Sequence, residues 1–393
     1  SFYQFYQRME AQPGNVVIGG SQASVLPMYD PYSTSLTWEK IENAGAGVDW
    51  GFLNNRLTGS FDWYQRRTLD MVGPAKALSA VYGGNAPKTN NAELRTRGWE
   101  LEVSWRDRIG ADFSYGISAS LSDYKSVVTK YDSPDGKLEG ANGAEAYYQG
   151  KVLGDIWGYR VEGIAKSDKE MNDYLAHVNQ SAIGSNWGGG DVMYSDLDKS
   201  GSIDPGSGTI TDHGDMTIIG NATPRFAYSF TLEASYKFID FRAFFQGIGK
   251  RDVFFKNSAT FFGIVSPYQR SFSKDHLDYF RFAGSPLGAN MDDPYYGRLR
   301  TDQNNIQVSD RYLQDASYLR LKNLQIGFSL PENTKLAKYV EKARLYVSGE
   351  NLFTFTNLRI YDPEALGAST DPYGPGKTYP MYRVWSVGLE LTF

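Results

Sequence analysis

The chain has 393 residues, enough for one large β domain or two to three smaller ones, with 40 basic and 45 acidic side chains for a net charge of −5. Without a basic run it does not suit a nucleic-acid partner, and without cysteine it has no disulfide framework, thiolate catalyst or thiolate metal site. No apolar run approaches the roughly 18 residues of a spanning helix, yet the mean hydropathy of −0.45 does not exclude a membrane β-barrel, whose strands alternate lipid-facing and lumen-facing residues.

Aromatics are abundant, with 28 Tyr, 22 Phe and 8 Trp. They fall into period-2 patterns, which read as strands with one oily and one polar face. In chain order, Trp38 to Phe52 alternates through Glu42, Ala44, Ala46, Val48 and Trp50, turns at Asn54-Asn55, and returns as LTGSFDWYQ with Leu57, Gly59, Phe61 and Trp63 on one face. WELEVSW, the turn RDRIGAD and FSYGISASLS make a second hairpin, in which Leu101, Val103 and Trp105 answer Phe113, Tyr115, Ile117, Ala119 and Leu121.

A long segment, 126–223, follows, rich in Gly, Asn, Asp and Ser. It holds SDLDKSGSIDPG, which places Asp196, Asp198, Ser200, Ser202 and Asp204 at positions 1, 3, 5, 7 and 9 of an EF-hand-like loop (196–207), with Gly201 at the turn position. Ser207 stands where the bidentate Glu belongs, and Asp212 or Asp215 is expected to supply the missing oxygens of a Ca²⁺ site. The alternative is an Asp- and Ser-rich turn that binds nothing. Tyr147, Tyr148, Trp157, Tyr159 and Trp187 lie in or beside this segment, and Tyr295, Tyr296 and Tyr373 lie in others. They are candidates for stacking on sugars or apolar side chains, or for packing within the loops.

The third hairpin is RFAYSFTLEASYKFIDFRAFFQ, with Phe226, Tyr228, Phe230, Leu232, Ala234, Tyr236 and Phe238 on one face and an expected turn at Ile239-Asp240. Its polar face holds Glu233 and Arg242, which either line a path or form a cross-strand pair. YLRLKNLQIGFSL and ARLYVSGENLF form the fourth pair. There the apolar phase slips from Leu319 and Leu321 to Leu324, Ile326 and Phe328, which predicts a bulge near Asn323. The chain ends on RVWSVGLELTF, with Trp385, Val387, Leu389, Leu391 and Phe393 on one face.

Short turns at 53–55, 107–110, 239–240 and 331–342 alternate with long connections at 68–96, 126–223, 250–315 and 354–381. That asymmetry is the signature of an outer-membrane barrel with short periplasmic turns and long extracellular loops. Trp50, Trp63, Trp105 and Trp385 fall near strand ends, where aromatic girdles sit. The alternative is a secreted sandwich or propeller whose oily faces form a core. About nine strands are legible. An odd number with both end strands running the same way cannot close antiparallel, so an upward strand is expected before Trp38, with SFYQFYQ at its start as a remnant. The sequence starts at Ser1 without an initiator Met or signal peptide, as a processed product or a fragment would.

SLTWEKIENAGAGVDWGFLNNRLTGSFDWYQRRTLDM, ASYLRLKNLQIGFSLP, RLYVSGENLFTFTN followed by YDPE, and the terminal VGLELTF resemble the SusC/RagA-type TonB-dependent transporters of Bacteroidetes outer membranes, in the same order over nearly the whole chain. The resemblance implies an all-β fold, a roughly 22-stranded transmembrane barrel with an amino-terminal plug, a TonB box and a SusD-like surface lipoprotein as lid. This chain would be its carboxy-terminal part, without plug or TonB box. It implies energy-coupled import of oligosaccharides or peptides, and it makes Leu389, Leu391 and Phe393 a signal for barrel insertion. A passive porin and a secreted carbohydrate-binding protein are the alternatives. An enzyme is not expected. His177, His213 and His276 are far apart, none sits in HExxH, and there is no GxSxG or Walker loop.

Overall fold

The computed structural model describes residues 12–25, 33, 36–74, 81, 87–131, 147–331, 334, 340–366 and 378–393. The start of the chain (1–7) and Tyr373 lie outside the described residues, so the expected remnant strand and that aromatic are not placed.

Nine strands make one antiparallel sheet: β1 (Lys40–Phe52), β2 (Leu57–Pro74), β3 (Lys88–Ile109), β4 (Phe113–Tyr131), β5 (Arg225–Tyr236), β6 (Ile239–Lys250), β7 (Tyr318–Ser329), β8 (Lys342–Thr356) and β9 (Val384–Thr392). They pair strictly in chain order, each with its sequence neighbours, and β1 and β9 are the two edges. A meander of this kind is what alternating patterns joined by tight turns dictate.

The turn of the third hairpin differs from expectation. Tyr236 pairs with Ile239, so Lys237 and Phe238 form the two-residue turn and Phe238 leaves the strand face. Shifting the turn by two residues keeps every side chain on its own face, so alternation alone does not locate it. Lys237 takes φ of +54° there, without a Gly or Asn to mark it. The bulge in the fourth hairpin is where the phase slip puts it: pairing to β8 and to β6 skips at Lys322, beside Asn323.

Strands β2, β3 and β4 run to 18, 22 and 19 residues, against roughly 9–11 needed to cross a bilayer. The first two long connections are therefore shorter than the alternation suggests, and the segment read as 126–223 begins only after Tyr131. Trp63 sits well inside β2, not at its end.

The two faces of the sheet differ sharply. On one, Val387, Leu389, Leu391 and Phe393 are 73%, 63%, 45% and 84% exposed, and Ile326, Phe328, Leu345 and Val347 are likewise uncovered. On the other, hydroxyls pair across strands: Thr96 with Ser126 (2.7 Å), Ser104 with Ser118 (2.8 Å), Ser120 with Ser229 (2.7 Å) and Ser114 with Ser235 (2.7 Å). Glu233 and Arg242 form the ordinary cross-strand pair, at 3.3 Å. Gly59 lets Trp50 lie across its backbone, since a Cβ there would stand 2.4 Å from the indole.

The principal buried core is not in the sheet but in the loops. Tyr159, Val192, Tyr194, Ile203, Phe255, Phe261, Phe262, Tyr296 and Tyr312, with Leu358 and Leu366, pack together from three connections. All three leave the sheet at the end opposite the short turns. Burying one such aromatic contributes roughly 1.5–3 kcal/mol, so these connections form a folded loop domain. Its short helix α1 (Asp168–Leu175) is capped by Ser167 and buries Met171.

Candidate functional site

The loop domain is where a ligand or partner would first meet the protein, because binding residues concentrate on loops held by a rigid scaffold. Its interior is fastened by charge. Asp191 is wholly buried and accepts from Arg298 (Nη2, 2.5 Å), Arg300 (Nη1, 2.9 Å), Asn305 (2.9 Å) and the backbone N–H of Gly188 (2.9 Å). A second tie joins the loops to the wall. Arg320 of β7 is 2% exposed and donates to Asp362 (2.6 Å), Glu364 (2.8 Å) and the Thr354 hydroxyl (2.8 Å), and Lys322 and the Tyr318 hydroxyl also reach Glu364. Burial works against the Asp362 carboxylate, but the backbone N–H of Glu364 and the Arg320 guanidinium outweigh it and hold the group below the usual carboxylate range.

The acidic loop is wound around its own backbone. Lys199 at φ +61° and Gly201 at φ +80° turn the chain so that Asp196 accepts from the N–H groups of Ser200 (3.1 Å) and Gly201 (2.8 Å). Carboxylate oxygens of Asp196, Asp198 and Asp215 come within 4.8 Å of one another. Asp215 is fully buried and accepts backbone N–H groups from Leu197 (2.6 Å) and Asp204 (3.0 Å). Burial pushes its carboxyl above the usual range despite those bonds. The N–H of Ser200 draws Asp198 the other way. The Ser200 hydroxyl donates to the Ser202 carbonyl at 3.0 Å. Asp204 is not part of the convergent group: its carboxylate accepts from Gly206 (2.7 Å), and Asp212 accepts from Ser207 (3.0 Å). Of the two acids offered for the missing ligand, Asp215 is the one brought into place.

The aromatic candidates mostly pack. Tyr148 is buried and accepts from the Trp157 indole N–H (3.2 Å); Trp157 also lies against His213. Trp187 donates to Gly184 and meets Tyr194 edge-on. Tyr295 and Tyr296 belong to the loop core. Of the five in or beside the 126–223 segment, Tyr147 alone is exposed, at 40%, beside Tyr131 and beneath Lys151. At the other end of the chain, Leu389, Leu391 and Phe393 lie on the uncovered apolar face, on or just past the edge strand β9.

Sequence reasoning did not single out Asp191, Arg298, Arg300 or Arg320. For Arg320 a signal existed in the YDPE stretch, two of whose carboxylates meet it.

No protein-family model matches the chain. Curated relatives do. TonB-dependent receptor P3 of Formosa agariphila is 28% identical over 96% of this chain and 36% of its own length. TonB-dependent receptor SusC of Bacteroides thetaiotaomicron is 24% identical over 92% of this chain and 33% of its own length. The chain thus spans about a third of the curated relatives it matches. Among solved structures, the RagAB peptide transporter superposes with a TM-score of 0.66 at 19% identity, over 98% of this chain and 38% of that one. These relatives are named as receptors and transporters, not as enzymes. The folded likeness identifies the nine-stranded sheet as part of a membrane β-barrel wall, its uncovered apolar face turned to lipid and its hydroxyl face to the lumen. By sequence and by fold, the chain is similar to a barrel-forming portion of the SusC/RagA-type TonB-dependent transporters, and its sheet is that of an outer-membrane β-barrel.

Proposed function

We propose that the whole protein imports a nutrient, an oligosaccharide or a peptide, across the outer membrane, with TonB supplying energy and a SusD-like surface lipoprotein acting as partner at the loop domain. The observation that carries this reading is the likeness, over nearly the whole chain, to proteins named as TonB-dependent receptors. A wall with one greasy and one hydroxyl-rich face, topped by a folded loop domain, suits that role. A passive pore is the competing reading. Uptake of labelled oligosaccharides and peptides by cells carrying the intact gene separates the two. Import that stops when TonB is deleted supports the proposal, and import that continues undiminished supports the pore.

We also propose that the 196–207 loop, with Asp215, holds Ca²⁺. Three carboxylates, the Ser200 hydroxyl and the Ser202 carbonyl offer the hard oxygen donors that this ion takes. Asp215, buried without a basic partner among the described residues, gains the counter-charge it lacks. The ion would stiffen the loop and perform no chemistry. Asp196→Ala with Asp198→Ala is expected to remove the calcium measured by mass spectrometry in the dialysed protein. Unchanged content would end the proposal.

A further inference from the structure

Beyond the lumen and the loop domain, the lipid side of the three longest strands carries an unused charge pattern. Directly opposite residues of β2, β3 and β4 form rows on that side. The row Phe61–Leu101–Leu121 is followed by Trp63–Trp99–Asp123, then Gln65–Arg97–Lys125, then Arg67–Arg95–Val127. Phe61 and Trp99 stack at 6.4 Å, which places both rings on one face. From Ile109 to Trp99, ten residues of β3 rise roughly 33 Å along the strand, or about 25 Å at a tilt near 40°, the height of the apolar band of an outer-membrane barrel. Trp63 and Trp99 therefore mark its outer rim, and the basic rows stand just above, at headgroup level.

The two carboxylates nearest these rows are engaged elsewhere. Asp123 is held by Arg225 and Glu42 pairs with Arg67 at 3.0 Å; Glu93, at the far end of β3, has Lys130 opposite it in the register. Arg97 donates to a neutral amide, Gln65 Oε1, at 2.7 Å. Arg95 and Lys125 have neither an ionic nor a hydrogen-bonding partner among the described residues, and Lys125 and Arg97 are exposed. Three positive charges are thus gathered on a lipid-facing surface with no carboxylate of their own. On the opposite flank of the sheet, the lipid-facing residues toward the loop end are Phe353 and Phe355, so the charge belongs to one side of the wall.

We propose that Arg95, Arg97 and Lys125 bind the phosphate of an anionic lipid in the outer leaflet, with Trp63 and Trp99 against its upper acyl chains. Charge complementarity selects the headgroup: guanidinium groups match phosphate in geometry, and basic residues near a membrane surface attract anionic lipid. The proposal rests on the outer-membrane placement of the sheet.

The test is native mass spectrometry of the full-length protein in non-ionic detergent, titrated separately with a phosphorylated glycolipid of the lipid A type, its dephosphorylated form and inorganic phosphate. The wild type is expected to retain the phosphorylated lipid alone. The R95Q/R97Q/K125Q variant is expected to retain it about a hundredfold less tightly, at about fivefold per charge removed. Equal retention by that variant overturns the proposal, as does equal binding of the dephosphorylated lipid, or inorganic phosphate binding as well as the lipid. Mobility before and after boiling reports folding of the variant. If the triple variant has lost its shift, Arg97→Gln alone is measured, with about fivefold weakening expected and unchanged retention again overturning the idea. A wild-type protein that stays in solution without detergent overturns both this proposal and the membrane placement beneath it.

Discussion

Replacing Asp191 with alanine is expected to unfasten the loop domain while leaving the barrel wall folded. The carboxylate is fully buried, and its removal leaves Arg298 with only the Asn186 carbonyl, while Arg300, only 11% exposed on its side chain, keeps Asp302 at 2.7 Å. Removing one partner of a buried, hydrogen-bonded pair costs about 3–5 kcal/mol when the other charge is left without compensation; with Asp302 still on Arg300 and Arg298 partly exposed, the loss is expected near the lower end, about 3 kcal/mol. The N–H of Gly188 loses its acceptor at the same time, and Asn305 keeps only the Arg298 carbonyl for its amide N–H. Limited proteolysis from outside the cell is the measurement. Cuts in the 180–200 and 298–305 segments are expected to appear early in the variant, with the boiling-dependent gel shift of the barrel retained. A cleavage pattern identical to wild type would show that this cluster does not hold the loops.

Arg320→Met should do comparable damage at the junction of loops and wall. The guanidinium meets Asp362, Glu364 and Thr354 together, and methionine fills the volume without replacing any of the three bonds. Glu364 keeps Lys322 and the Tyr318 hydroxyl, whereas Asp362 keeps only backbone donors, so the cost is expected near the lower end, about 3 kcal/mol. Thermal unfolding of the detergent-solubilised protein reads it. Adding Asp362→Asn to the variant should recover part of the loss, since it removes the charge left uncompensated; no recovery would mean that packing, not charge, is what Arg320 supplies. The same tie has a pH signature. The Asp362 carboxyl sits below its ordinary value of about 3.9. Its contribution is therefore complete above that value and is lost as pH falls through the folded value. Wild type should lose more stability than Asp362→Asn on acidification below about pH 4.

The wall was legible because lipid on one side and water on the other force a period of two on every strand. Phe226 to Tyr236 and Trp385 to Phe393 show it without interruption, and the slip at Leu321 to Leu324 located the bulge at Lys322. The same reasoning lost the upper halves of β2, β3 and β4. Once a strand leaves the bilayer, outward positions turn polar, as at Gln65, Arg97 and Lys125, although the ladder of hydrogen bonds continues. The turn at Lys237-Phe238 escaped for a different reason: a two-residue shift changes no side chain's face.

The loop domain was legible only in fragments. Its calcium-type spacing is local, so Asp196 and Asp198 could be read, with Asp215 as one of two alternatives. Its core is not local. Tyr159, Tyr194, Phe255 and Tyr312 meet from distant positions with no shared period, and the side-chain partners of Asp191 lie more than a hundred residues away. Of the two roles the sequence left open for the loop aromatics, stacking on a ligand or packing within the loops, Tyr148 and Trp157 take the second, against each other.

These 393 residues hold no cysteine, so, with any cysteine elsewhere in the full-length protein replaced, single cysteines can be introduced one at a time along β5, spin-labelled and placed in lipid vesicles. Relaxation by dissolved oxygen, which partitions into acyl chains, should dominate at Phe230, Leu232 and Ala234. Relaxation by a water-soluble nickel chelate should dominate at Ser229, Thr231 and Ser235. That two-residue oscillation, in this phase, is what a lipid-facing wall produces. Labels at 230, 232 and 234 that respond to neither agent, as in a packed protein interior, would contradict the barrel and the import function proposed from it.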